Sequence, residues 1–439
     1  MSIEFEDVTD LQAMVDAARS RLKLPADSTT DQVYVAGFEI VLSQISSSYG
    51  KEDSSKANYL RMAVLSSIDL DGDNEETYHL AHRVGAAYLM HGWVAEAEET
   101  LNLALGGFNK LHQGQEVQSA DSLKVCGSLG TLYEKSGDYK KAIALASRLL
   151  KAQENRNGLQ HRDTLLSVVN VAGLLQHVGD LKQSEDMYRK AMSTLEKVCS
   201  EEKIAMDDDL DYVMCMGNFA VLLEKKKEGE GEALSYYKRS LRGKKKLLGE
   251  NNPDTLRSLS NLAMLLESQG GAAEEAEAMF RECLEHRIVA LGKDHVETLS
   301  SKAALAGCLL KKGMSEQSLE LYFEVLSGYV SGAVGGADSP MAIQAHADLA
   351  YCLMACGKIE ESLEMYKRVT SLRLSKYGAS HPQTLKSFFD TGILLVQTGK
   401  NEEALNMLNA ARKGYVDVGM EKEAARCIGL IEHVSSSEE

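Results

Sequence analysis

The chain has 439 residues, 44% of them hydrophobic and 26% charged, which is the ordinary balance of a soluble protein with a core to bury. Its 65 acidic residues outnumber 48 basic ones and give a net charge of −17, so we expect neither nucleic acid nor an anionic membrane surface as a ligand. The 8 cysteines lie apart without CxxC pairs, no apolar run reaches about 18 residues, and the acidic N-terminus is not signal-like. These features exclude a secreted disulfide scaffold and a membrane-spanning protein, and they favour a cytoplasmic location.

The N-terminal segment, residues 1–75, is predicted to be helical. Apolar spacing indicates helices over 8–23, 31–48 and 54–68, which would form a cap or a degenerate repeat. The sequence DLDGDNEETYHL at 69–80 imitates a calcium-binding EF-hand loop but has Leu80 where the bidentate glutamate belongs, so it predicts a solvated linker with an Asx-type cap. His79 and His82 could share a helix face, yet without cysteines or carboxylates around them they predict no zinc site.

Residues 76–415 repeat a pattern of two helices. One small residue recurs in the first helix of each repeat, at Gly85, Gly130, Ala172, Ala220, Ala263, Ala306, Ala350 and Gly392. A glycine marks most turns, a second small residue opens the second helix, and a residue that is usually large follows it four positions later. The small residues let two antiparallel helices approach, and the large one fills the next interface. Eight helical hairpins of this kind indicate an α-solenoid.

These columns resemble the tetratricopeptide repeat, and the long second helices followed by LGENNPDTL, LGKDHVETL and YGASHPQTL are similar to the kinesin light chain subclass. The resemblance implies an all-α, right-handed α-solenoid of about eight hairpins with helical caps at both ends. It also implies that the first helix of each hairpin lines a concave groove. Residues 416–439 are predicted to form a C-terminal capping helix, over 421–434, and a tail.

Two linkers and one basic cluster interrupt the repeats. The linkers CSEEKIAMDDDLD (199–211) and SGYVSGAVGGADSP (327–340) are both expected to be mobile. The basic cluster indicates a solvated face favoured by a helix dipole, with recognition of an acidic partner segment as the alternative; it consists of Lys238, Arg239, Arg242, Lys244, Lys245 and Lys246. A polar residue recurs just before four first helices and predicts a linker role rather than catalysis, at His161, Asn252, His295 and His381.

The sequence contains no catalytic or metal-binding constellation. It has no GxSxG, no phosphate-binding glycine loop with lysine and no HExxH. Cys352 and Cys356 are four residues apart on a predicted helix, which indicates packing rather than metal binding or redox chemistry. We therefore expect a protein that is not an enzyme, holds no cofactor or metal and acts on no small-molecule substrate.

The groove is the predicted binding surface. Asparagine, which recurs two residues before the framing small residue, is not required for helix packing, but its amide both donates and accepts. A ladder of such residues could clamp the main chain of an extended peptide, and the resemblance supports this use; a merely polar groove or bonds between helices are the alternatives. A sparse positive set lies one turn earlier. The predicted groove residues are Lys124, Ser128, Asn170, Asn218, Arg257, Asn261, Gln344, Asp348, Lys386 and Asp390.

Two functional hypotheses follow. The first is a non-catalytic adaptor or scaffold whose groove binds an extended or helical segment of another protein. The alternative is a structural subunit of a larger complex that uses its convex or end surfaces.

Overall fold

A computed structural model describes residues 54–71, 74–91, 93–111, 119–227, 229–270, 272–331 and 336–436, with isolated residues between 16 and 37. In these ranges every regular element is a helix, and none combines the length and apolar character needed to cross a bilayer. The chain divides into two compact units, Met1–Leu247 and Leu248–Glu439. The helices predicted over 8–23 and 31–48 lie outside the described residues, apart from isolated positions.

The helices alternate along each unit as the repeat pattern predicts. The first unit holds α1 Ser54–Asp71, α2 Glu75–His91, α3 Val94–Leu111, α4 Ala120–Ser136, α5 Tyr139–Asn157, α6 Arg162–His177, α7 Leu181–Glu202, a 3-10 helix Met206–Asp208, α8 Leu210–Lys226 and α9 Glu230–Leu248, whose last residue belongs to the second unit. The second holds α10 Pro253–Ser268, α11 Ala273–Leu291, α12 Val296–Lys311, α13 Ser315–Ser331, α14 Pro340–Ala355, α15 Ile359–Tyr377, α16 Pro382–Gln397, α17 Asn401–Asp417 and α18 Glu421–Ser436.

The eight pairs from α2/α3 to α16/α17 are the eight predicted hairpins, so the all-α, α-solenoid class is confirmed. The helix predicted over 54–68 is α1, and the one predicted over 421–434 is α18. The latter buries Cys427 and Ala424 in a cluster with Leu385, Leu408 and Tyr415 of the last hairpin.

The small residues lie where the two helices of a hairpin touch. In three hairpins the small residue of the second helix is a serine, and its Oγ donates to the carbonyl oxygen of the framing alanine at 2.7 Å: Ser184 to Ala172, Ser318 to Ala306 and Ser362 to Ala350. The large residue four positions later is buried, as at Tyr188 and Phe280. The predicted alternation of small and large residues is therefore confirmed.

The polar residues that precede four first helices are N-caps. Nδ1 of His161, His295 and His381 each accepts from the backbone N–H two residues later at 3.2 Å. The Asn252 Oδ1 accepts from the Asp254 N–H at 2.9 Å. These bonds satisfy backbone donors that a helix start leaves free, which confirms the predicted linker role. The linker before α2 likewise has an Asx-type cap, from the Thr77 N–H to Asn74 Oδ1 at 2.9 Å.

A second glycine column, which the sequence reading missed, marks tight contacts between the two helices of four hairpins. Its members, each ten residues after the small residue of the second helix, are Gly107, Gly243, Gly328 and Gly414. A Cβ on Gly107 would lie 2.0 Å from the ring of Tyr78, and one on Gly414 would lie 2.1 Å from Leu385 Cδ2. A side chain fits at either position only if the facing side chain moves, which favours glycine there despite its poor helix propensity.

Gly107→Ala is expected to destabilise the first unit by about 1–3 kcal/mol, because the added methyl must displace a buried aromatic ring. The neighbouring Gly106 is a matched control, since it is exposed and an added Cβ would meet no atom within 4 Å. We expect Gly106→Ala to stabilise the helix by up to about 1 kcal/mol. Denaturation followed by circular dichroism compares the two; equal effects would contradict the close approach.

The acidic linker 199–211 is ordered, so the prediction that it is mobile is wrong. α7 continues to Glu202, and Arg162 bonds three carboxylates: Glu202 at 2.6 Å, Asp209 at 2.7 Å and Asp211 at 2.6 Å. This single guanidinium offsets the repulsion that would otherwise separate the acids. In the other linker α13 continues to Ser331, residues 332–335 lie outside the described part, and Ser339 caps α14.

The basic cluster meets acidic groups of its own chain. Arg239 bonds Asp207 at 2.8 Å and Lys246 bonds Asp208 at 2.5 Å, both on the 3-10 helix. Lys244 is only 2% exposed, so the predicted solvated face is wrong at that position. The acidic segment considered as a partner is therefore, at least in these two pairs, intramolecular.

All eight cysteines are free thiols, seven of them buried and Cys356 half-buried. Burial raises the pKa of Cys126 to about 11 and that of Cys215 to about 12. It also raises the pKa of Cys352, whose Sγ lies 3.5 Å from Ser318 Oγ. Raised pKa values disfavour the reactive thiolate, in line with the predicted packing role.

Candidate functional site

The exposed side chains of the first helices of successive hairpins make one surface in each unit, named the first-helix face. It comprises α2, α4, α6 and α8 in the first unit and α10, α12, α14 and α16 in the second. All predicted groove residues are exposed or half-buried on it: Lys124 and Ser128 on α4, Asn170 on α6, Asn218 on α8, Arg257 and Asn261 on α10, Gln344 and Asp348 on α14, and Lys386 and Asp390 on α16.

The three asparagines have amides that the fold does not use. Asn170 is exposed, and Asn218 and Asn261 are half-buried. Among the described residues none of the three side chains has a hydrogen-bond partner, so the alternative of bonds between helices finds no support in this part of the chain. Each amide therefore keeps its donors and its acceptor for an external group.

The predicted positive set is paired with carboxylates on its own helices. Lys124 Nζ lies 2.9 Å from Asp121 Oδ1, Arg257 Nη2 bonds Asp254, and Lys386 Nζ bonds Asp390. All three cations are more than half exposed, so these pairs contribute little and can exchange for a ligand carboxylate. Their charge is nevertheless balanced locally, and the sequence reading did not anticipate this.

The remaining predicted residues make specific polar contacts. Ser128 Oγ shares a hydrogen bond of 2.9 Å with His82 Nε2. Burial, together with His79 and Lys124, lowers the pKa of His82 and favours the neutral ring. Gln344 Nε2 donates to Asp348 Oδ1 at 2.8 Å.

A buried arginine stands at the same place in two hairpins of the second unit and was missed in the sequence. Arg287 Nη1 donates to Ser301 Oγ at 2.6 Å and to the Glu297 carbonyl oxygen at 3.0 Å. Arg373 Nη1 donates to Ser387 Oγ at 2.8 Å, and its Nη2 donates to Gln344 Oε1 at 3.1 Å. The spacing of eleven residues from Ala276 and Ser362 was the available signal.

One group of side chains could hold a metal ion. His79 Nε2 lies 3.8 Å from Glu75 Oε1 and 4.0 Å from Asp121 Oδ2, so the premise that no carboxylates surround this histidine is wrong. The folding of α4 beside α2 brings in Asp121, which the sequence spacing could not reveal. The Lys124 ammonium, which already binds Asp121, opposes a second cation there.

The sequence matches a family model described as a tetratricopeptide repeat over residues 116–197, 215–287 and 342–415, together more than half of the chain. No curated protein matches it significantly.

Several solved structures are similar to this chain. A signal transduction ATPase with a tetratricopeptide repeat sensor from Pyrococcus horikoshii is 12% identical, with a TM-score of 0.50 over 95% of this chain and 74% of that one. A kinesin light chain protein of Podosopora anserina with nearly identical TPR-like repeats is 19% identical, with a TM-score of 0.43 over 48% of this chain and 98% of that one. BtubC (BKLC) from P. vanneervenii is 19% identical, with a TM-score of 0.46 over 55% of this chain and 92% of that one. At these identities the similarity concerns the fold alone.

Proposed function

Because the chain belongs to the tetratricopeptide repeat family, whose members generally mediate protein–protein interactions and whose fold is typically non-enzymatic, we propose that it is a non-catalytic adaptor or scaffold. It binds an extended or helical segment of a partner protein on the first-helix face. Residues 76–415 form the binding array, and residues 1–75 and 416–439 cap it. The free, mostly buried thiols suit the reducing cytoplasm.

The unused amides of Asn170, Asn218 and Asn261 carry this proposal. A polar side chain placed only for solubility needs no amide, and lysine or glutamate would favour the helix more. An extended segment presents alternating N–H and C=O groups, which an amide can match with both its donor and its acceptor. Such contacts hold the main chain whatever the partner's sequence.

Replacing these asparagines is expected to weaken peptide binding without unfolding the protein. The ligand is the tightest peptide selected by the full chain from a random peptide library, with affinity read by fluorescence anisotropy. Each Asn→Ala that touches it should weaken binding about 2–10-fold, the equivalent of one net hydrogen bond of about 0.5–1.5 kcal/mol. Asn170→Ala/Asn218→Ala tests the first unit, and Asn261→Ala tests the second.

Matched controls are Asn155→Ala on α5 and Asn406→Ala on α17, which remove exposed asparagines from second helices. They should leave the affinity unchanged. If the selected peptide binds the unsubstituted chain, the two first-helix variants and the two controls equally, the first-helix face is not the binding surface.

A second candidate, the structural subunit that uses outer surfaces, is favoured by three apolar side chains at the end of α11. Ile288 is 40% exposed, Val289 83% and Leu291 37%, which is unusual for neighbours on one helix end. If this patch is the interface, Val289→Asp should release a partner that co-purifies with the full chain, and the asparagine variants should retain it. The reverse result supports the adaptor.

A further inference from the structure

A cavity of about 220 Å³ opens on the first-helix face between α12, α13 and α14. Its walls are mostly apolar and include Ala303, Val325, Tyr329 and Ala345, and its polar lining is Ser300, Gln344 and Asp348. Sites for drug-sized ligands are usually about 300–1,000 Å³, so this cavity suits a single side chain better than a small molecule.

Each of the two neighbouring interfaces contains a buried arginine of the chain itself at the equivalent position of its second helix. Before the cavity, Arg287 of α11 reaches Ser301 of α12, and after it, Arg373 of α15 reaches Ser387 of α16. At the cavity the two positions are Tyr329 and Ala345, eleven residues after Ser318 and five before Ala350. The tyrosine hydroxyl donates instead to the Val296 carbonyl oxygen at 3.4 Å. The α12–α14 interface thus lacks the guanidinium that its two neighbours contain.

An acid remains at the edge of this space. Asp348 accepts one side-chain hydrogen bond, from Gln344 to Oδ1, and no Lys, Arg or His in the described part of the chain forms an ion pair with it. Burial raises its pKa above the ordinary value of an aspartate, while the hydrogen bond from Gln344 and the charge of Arg373 partly oppose that shift. At the next interface burial lowers the pKa of the Arg373 guanidinium, and the charges of Asp390 and, to a smaller extent, Asp348 oppose the shift. Asp348 therefore feels the charge of Arg373 without forming an ion pair with it, and a cation in the cavity would supply that pair.

We propose that the cavity binds an arginine side chain of the partner segment. The guanidinium pairs with Asp348, and the methylene groups pack against Val325, Tyr329 and Ala345. The charge of the ligand complements the half-buried carboxylate, and Arg287 and Arg373 show that interfaces of this geometry accept a guanidinium. This inference rests on the proposed function, since it names a specificity pocket on the same face.

Two random peptide libraries test it, identical except that one contains arginine and the other its neutral near-isostere citrulline at the same positions. The full chain is expected to bind the arginine library about tenfold more strongly than the citrulline library. This is the difference in affinity expected from one charge-assisted hydrogen bond. Asp348→Asn should abolish that preference because it removes the carboxylate that pairs with the guanidinium, and the unfolding midpoint checks that the variant remains folded. Ser300→Lys, which tethers an ammonium at the cavity rim, should abolish it as well.

Asp417→Asn is the matched control, because Asp417 is exposed on α17 and carries the same charge. General attraction to a chain of net charge −17 would make Asp348→Asn and Asp417→Asn equivalent, and that result would overturn the proposal. So would an arginine preference that survives Asp348→Asn. If peptides bind and the asparagine variants weaken them but arginine is not preferred, only this inference fails; if neither library binds, the proposed function fails with it.

Discussion

Phe280→Ala is expected to lower the free energy of unfolding of the second unit by about 3–5 kcal/mol. The ring is 1% exposed on α11, four residues after the small residue Ala276. The substitution removes buried apolar surface and leaves a cavity that the helices cannot close. Because a repeat array is held by nearest-neighbour interfaces, we expect the loss to be local. Hydrogen exchange should rise most in α10 to α13.

Phe323→Ala is the matched control, on the second helix of the next hairpin, where the ring is 46% exposed. It should change stability by no more than about 0.5 kcal/mol, as surface substitutions usually do. Equal losses in the two variants, or a uniform rise in exchange throughout the second unit, would contradict the predicted role of the aromatic column.

Arg162→Met is expected to destabilise the first unit by about 3 kcal/mol, the low end for breaking a buried ion pair. Asp209 is 5% exposed, and without the guanidinium it would lose its opposite charge while it stays close to the linker acids Glu202 and Asp211. We expect the low end of this range of stability losses because the Arg162 side chain is 31% exposed, so the ion pair is only partly buried. We expect hydrogen exchange to increase in the 3-10 helix and at the start of α8.

The double variant Arg162→Met/Asp209→Asn separates charge from packing. Because Asp209→Asn removes the carboxylate left without its partner, the double variant should be at least about 0.5 kcal/mol more stable than the sum of the losses in Arg162→Met and in Asp209→Asn predicts, which is the coupling expected between residues in contact. If the double variant is the sum of the two single ones, the ion cluster does not hold the linker.

The sequence contained enough information for the hairpins but not for the contacts between them. The framing column and the N-caps depend on neighbours within one hairpin, so fixed spacing revealed both Ala263 and His295. The order of the 199–211 linker depends on Arg162, which lies far from the linker in sequence and reaches it only after α6 and α7 fold. An acidic run considered by itself predicts that its carboxylates repel one another and that the linker is mobile. The guanidinium of Arg162, distant in sequence, bonds these carboxylates and holds the linker in place.

The candidate site shows the same division. Periodicity placed Asn218 and Asp348 on the first helices, because side-chain direction on a helix follows from spacing. The partners of Lys124 and Lys386 are three and four residues away and were accessible to the same reasoning. The cavity was not accessible, since its lining residues come from α12, α13 and α14 and meet only once these three helices are packed.

The cysteines are placed so that their chemical modification reports where the helices open locally. The seven buried thiols lie in α4, α7, α8, α11, α12, α14 and α18, and in the closed state only the half-buried Cys356 offers sulfur to a reagent. An alkylating agent can modify the others only when their helix separates from its neighbours, since burial suppresses both access and the thiolate. The order in which these sulfurs are modified therefore ranks the hairpins by how often each one opens. Under oxidative stress Cys356 would react first, and among the buried thiols damage would begin where the helices open most often.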